Sequence, residues 1–200
     1  MFIRSLFLLV GIVTFLFIYW RKLKEDYHEN IIYTSAFYSM FGSIFFYLIS
    51  LRLLPDWWFW FVVVGGFLGF SIATVRFKMR FFETYEAAVS ASLPLLSLYL
   101  FFEFVKKLNL YVFIALLLTS FYIFLFWYAQ KHYKKIRWYA SGRVGFSGLI
   151  TAGIFFATRA FLALKFSHML SFVGVGDSLI SALVALIHFI ILINLARIKQ

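Results

Sequence analysis

An all-α protein threaded several times through a bilayer is the fold class this chain predicts, and three observations predict it. Hydrophobic residues make up 64% of the 200 residues and charged residues only 14%, whereas soluble domains run near 45–50% apolar and about 25% charged. Mean hydropathy is +0.93, which leaves too little polar surface to face water. The apolar residues come in continuous runs about 20 long, without strand alternation, and this suits membrane helices rather than a barrel. Zero Cys, two Pro and eleven Gly exclude a disulfide scaffold, thiolate chemistry and a collagen-like chain. The net charge of +11 then belongs to loops beside anionic lipid headgroups, and nucleic acid is not expected as a partner.

Apolar runs broken by charge mark seven spans within a single integral membrane domain, residues 1–200. The first, Phe2–Trp20, is read as a retained helix. Tyr19-Trp20-Arg21-Lys22 supplies no small-residue cleavage site, and the run is too long for the core of a signal peptide. Ile31–Leu51 returns across the membrane, and Pro55-Asp56-Trp57-Trp58-Phe59-Trp60 makes a turn and an aromatic belt that leads into Trp57–Val75. A basic turn precedes Phe82–Val105, and Leu110–Gln130 follows. Phe146–Phe166 and Phe172–Leu195 complete the set.

Lysine and arginine counts set the expected orientation. The connections after spans one, three and five and the tail hold 13 of the 19 basic residues, among them Arg21, Lys22, Lys24, Arg76, Lys78, Arg80, Lys131, Lys134, Lys135, Arg137, Arg143 and Lys199. The opposite side holds Arg4, Arg52, Lys106, Lys107 and Lys165. The positive-inside rule therefore places the N-terminus outside and the C-terminus in the cytoplasm. Trp127, Tyr128, Tyr133, Trp138 and Tyr139 are expected at the inner interface.

Ionisable groups inside the hydrocarbon region need a reason. Arg159 falls about 20 Å up the sixth span from its cytoplasmic start, and Asp177 roughly 8 Å down the seventh from the outside. The two are expected to face one another or a shared polar cavity. Three readings of the arginine stay open: a structural ion pair, a ligand for an anionic headgroup, and snorkelling to the surface. Gly65-Gly66 with Gly69 leaves a groove free of side chains, for close helix approach or for a lipid. Glu83 and Glu86 open the fourth span and complement its helix N-terminus. Glu103 pairs at helical spacing with Lys106 or Lys107. His188 reads as a packing residue bonded to a neighbour, while His28, His132 and His168 have no metal-ligand spacing. No catalytic residue, metal site or cofactor is assigned.

The order of these features resembles the prolipoprotein diacylglyceryl transferases, bacterial enzymes that move a diacylglyceryl group from phosphatidylglycerol to a lipobox cysteine. The resemblance rests first on VVVGGFLGFSIATVRFKMRFFETYEAAVSASLP at 62–94: a glycine pair, a basic loop, an FF turn and an acidic residue opening the next helix. It extends to LFLLVGIVTFLFIYWRKLKEDYHENII at 6–32, to ATRAFLALKF at 157–166 and to FVGVGDSLISALVALI at 172–187. It implies seven helices with the N-terminus outside, a bacterial inner membrane, phosphatidylglycerol and a lipobox segment as partners, and Gly65, Gly66, Glu86 and Arg159 as retained positions. Asp177, which orients Arg159, joins them as a substrate-binding candidate. The chain also departs from the family pattern. Val64 replaces the histidine before the glycine pair, Gly42-Ser43-Ile44 replaces Gly-Ala-Arg, and Ala163 replaces a glutamate. Asp177 stands where the family has a glutamine, and Leu95–Glu103 lacks the Gly-Arg-x-Gly-Asn-Phe segment. Transfer to a thiol needs a base and a cationic site for the leaving group, so these departures leave two expectations: a divergent transferase, or a lipid-binding or scaffold protein on the same architecture.

Overall fold

The computed structural model describes residues 2–133, 145–166 and 175–197. Its helices are α1 (Phe2–Leu23), α2 (Glu29–Leu53), α3 (Trp58–Arg76), α4 (Phe81–Lys107), α5 (Leu110–His132), α6 (Phe146–Lys165) and α7 (Val175–Arg197), with a 3-10 turn at Pro55–Trp57. All seven helices are long and apolar enough to cross a membrane. The protein is thus an all-α, seven-span membrane protein, as the composition and continuous runs predict. The expected start of the last span at Phe172, His168, Lys134, Lys135, Arg137, Trp138, Tyr139, Arg143 and Lys199 lie outside the described residues.

Successive helices run in alternating directions. One end of the bundle, here the N-terminal face, brings Phe7 of α1 against Phe101 and Phe102 of α4, and Tyr111 of α5 against Phe166. At the other end, the C-terminal face, the Tyr27 hydroxyl accepts from the Arg80 amide at 2.8 Å and donates to Glu83. Among the described connections, those after α3 and α4 are short and have local chemistry to stop one helix and restart the next. Leu108 ends α4 in the left-handed region (φ 46°), and the Asn109 side chain caps α5 by accepting from the Tyr111 amide. Between α3 and α4, Lys78 takes φ 52° while Met79 donates its amide to Thr74 and buries its side chain in the α1–α4 core.

Packing is uneven in a way that locates the interior. Half of the α6 span is buried, against 17–33% for the others, so α6 is the central element. Its face toward α7 is lined by Gly153, which admits Phe189 and His188, and by Leu149, which meets Leu192. The periphery is apolar: Phe37, Phe41, Phe45 and Leu48 on α2 and Leu179, Leu183, Leu186 and Ile190 on α7 all face outward. Such stripes would drive a soluble protein to aggregate, whereas hydrocarbon chains solvate them.

α2 and α3 form a hairpin of unusually close backbones. A Cβ added at Gly42 would collide with the Gly65 carbonyl, one at Gly65 with the Gly42 carbonyl and Phe46, and one at Gly69 with the Tyr38 carbonyl. Ser39 and Ser43 donate across the seam to the Gly66 and Val62 carbonyls at 3.3 and 3.2 Å. Without a hydrophobic force between helices in lipid, this contact of small residues and hydroxyls is what holds such a pair together.

Candidate functional site

Near the N-terminal face, three helices deliver polar groups to one buried carboxylate. Asp177, in the first turn of α7, is fully buried. Its Oδ2 accepts from Arg159 Nη2 at 2.8 Å, and its Oδ1 accepts from the Trp60 indole N–H at 2.6 Å and more distantly from Ser181 at 3.4 Å. Arg159 lies on α6 roughly 9 Å along the axis from Lys165, and its residue exposure is only 7%. The Phe59 ring covers the guanidinium, with its centroid 3.8 Å away, and Trp60 stacks on Phe156. Ser178 fixes the start of α7 independently by donating to the Ala160 carbonyl at 2.8 Å.

The expected juxtaposition of Arg159 and Asp177 is therefore present, as a short, charge-assisted contact on consecutive helices. Snorkelling is not how Arg159 resolves its charge, because the head is buried against an acid rather than extended to a surface. Local sequence accounts for part of this geometry: Asp177 and Ser181 stand four apart on one helical stripe. Trp60 and Phe59, which the sequence suggested only as an aromatic belt, supply an indole donor and a cation–π face instead. Nothing local in the sequence signals that role, since Trp60 and Asp177 are 117 residues apart.

Glu86 belongs to a second centre. It sits near the start of α4, 6% exposed, and its Oε1 accepts from Ser147 of α6 at 2.7 Å and from Lys22 of α1 at 3.3 Å. Lys22 also lies over the Phe126 ring of α5 at 4.9 Å. Ser147 and Arg159 are about 18 Å apart along α6, so the Glu86 and Arg159 centres occupy opposite halves of the bundle. Glu83, by contrast, stays at the helix entry with Arg80 at 3.0 Å, as its position suggested. Glu103 pairs with Lys107 at 3.0 Å, also as expected. His188 donates from Nδ1 to the Val184 carbonyl and accepts at Nε2 from the Tyr85 hydroxyl, so it is a bonded packing residue.

Gly65 and Gly66 fall in neither centre. They belong to the α2–α3 seam, where Gly65 meets Gly42 and Phe46, and Gly66 meets Ser43. The groove they leave is occupied by α2. The five candidate residues are thus divided among three places: Arg159 with Asp177, Glu86 with Lys22 and Ser147, and the glycine pair in the seam.

Fold and site together define a seven-span helical membrane protein that, among the described residues, holds a buried charge pair, Arg159–Asp177, in one half and a part-buried one, Lys22–Glu86, in the other. The chain matches no family model, no curated protein and no solved structure.

Proposed function

We propose that this chain handles phosphatidylglycerol at the outer leaflet of a bacterial inner membrane, as a divergent relative of the prolipoprotein diacylglyceryl transferases. The observation that supports this reading is the arginine buried near the N-terminal face, since a guanidinium held at that depth is the group best suited to a lipid phosphate. Asp177 orients it, and the lipobox cysteine of a prolipoprotein is the acceptor. The decisive experiment supplies the purified protein with labelled phosphatidylglycerol and a lipobox peptide. Transfer is expected, and Arg159→Leu is expected to abolish it; undiminished turnover in that variant would refute the assignment.

A second reading, lipid binding without turnover, draws support from one specific feature. Asp177 neutralises Arg159 with a 2.8 Å contact, and it is fully buried with one oxygen held by Arg159 and the other by Trp60, so it is poorly placed to reach an acceptor thiol as a general base. This reading expects phosphatidylglycerol to co-purify with the protein while the transfer assay yields no product.

Both readings need the Arg159 centre in the outer half. The chain has no Cys, so single-cysteine variants report sidedness directly. On intact cells, a membrane-impermeant maleimide is expected to label Asp56→Cys and to label Lys78→Cys only after permeabilisation. The opposite pattern would reverse the orientation and move the site to the inner leaflet.

A further inference from the structure

A polar centre that neither reading uses lies between α4 and α6. Thr151 is fully buried, and its hydroxyl meets no hydrogen-bond partner. Elsewhere in the bundle, Thr74, Thr84, Thr119 and Thr158 each donate to a carbonyl one turn back. Thr151 stands one turn beyond Ser147, which donates to Glu86. A Cβ at Gly148 would lie 2.9 Å from the Glu86 Cα, so this side of α6 presses on α4. The two helices start from the same face, and the α4 residue at the level of Thr151 is Ser90, one turn beyond Glu86.

Ser90 and Glu86 bring unused hydrogen-bonding capacity to the same place. Pro94 lies inside α4 and has no amide hydrogen, which deprives the Ser90 carbonyl of its usual donor. Ser90 Oγ donates to the Ala87 carbonyl at 2.8 Å and keeps its lone pairs for accepting. At Glu86, both bonds fall on Oε1, which leaves Oε2 to accept. A donor that also accepts, a freed carbonyl and a carboxylate oxygen make a set that one water molecule satisfies with about three bonds.

We propose that Glu86, Ser90 and Thr151 enclose an internal hydration site that reseals the backbone break at Pro94 and wets the Glu86 carboxylate. Water accepts from Thr151 Oγ and donates to the Ser90 carbonyl and to Glu86 Oε2. Glu86 lies nearest the C-terminal face of the three, bonded to Lys22, whose side chain is 19% exposed. Polar repair of this kind is what makes a proline tolerable inside a membrane helix. The proposal is independent of lipid handling, because the Arg159 centre is in the other half of the molecule.

The test exploits a change of sign. Thr151→Val keeps the side-chain shape and removes the hydroxyl. If water fills the site, T151V strands it and lowers Tm by about 2–4 °C, the size expected for one lost hydrogen bond in a chain this long, while T151S stays near the wild type. If the site is dry, T151V removes a stranded hydroxyl and raises Tm; a raised or unchanged Tm overturns the proposal. Magnetisation transfer from water to the Thr151 methyl in the wild-type protein gives a second readout that needs no variant to fold. Its absence in detergent-solubilised protein would also overturn the proposal.

Discussion

Replacing Asp177 by alanine is expected to destabilise the folded protein by at least about 3 kcal/mol, the lower end for removing one partner of a buried ion pair. The size of the loss comes from what is left behind. The Arg159 guanidinium would keep its charge in the hydrocarbon half without its carboxylate, and the Trp60 indole N–H would lose its acceptor. The double replacement Arg159→Met with Asp177→Leu is expected to recover most of this loss, because it leaves no charge. The remaining deficit, about 1 kcal/mol, belongs to the orphaned indole N–H. Thermal or denaturant unfolding of the wild type and the two variants in one detergent measures the loss and its recovery. Wild-type stability in the Asp177→Ala protein would mean that the pair contributes nothing to holding α6 against α7.

The second large effect is expected in the α2–α3 seam. Gly65→Ala and Gly69→Ala each place a methyl group against a backbone carbonyl, of Gly42 and Tyr38 respectively, and a carbonyl fixed in a helix cannot swing aside. The expected cost is at or above the upper end for overpacking, about 3 kcal/mol. Gly66→Ala meets the Ser43 hydroxyl, a movable side-chain end, and is expected to cost less. Gly11→Ala is the control: its nearest neighbour is the Leu95 side chain at 3.5 Å, an ordinary contact, and the better helix propensity of alanine is worth up to about 1 kcal/mol. The order of melting temperatures, from Gly11→Ala down to Gly65→Ala and Gly69→Ala, checks the seam. A Gly65→Ala protein that folds normally but loses bound lipid would restore the headgroup groove.

The two effects differ in how far the residues announce them. The glycines at 65, 66 and 69 already read as a close-packing surface, but their partner on α2 is known only from the folded chain. Arg159 and Asp177 are visible because charge in an apolar run is costly, and their equal depth follows from rise per residue on two consecutive helices. The Trp60 indole and the Phe59 ring escape such reasoning. Aromatic residues at a span entry look alike in sequence whether they face headgroups or an interior carboxylate. Glu86 escapes for a related reason. A carboxylate in the first turns of a helix suggests the helix dipole, and only the arrival of Lys22 and Ser147 from two other helices turns it inward.

By itself the sequence determines the class of protein, the seven crossings and the places where charge enters the membrane. These are local quantities: composition, the length of apolar runs and the cost of an ionisable group among them. The tertiary structure alone decides which helix faces which, and therefore which polar groups share a centre. Arg159 with Asp177 and Trp60, Glu86 with Lys22 and Ser147, and the glycines against α2 are all outcomes of helix rotation and neighbour choice. In a bilayer every face of an apolar helix is nearly equally soluble, so hydrophobic periodicity cannot specify that rotation. Small-residue contacts and buried hydrogen bonds specify it instead, through partners far apart in the chain.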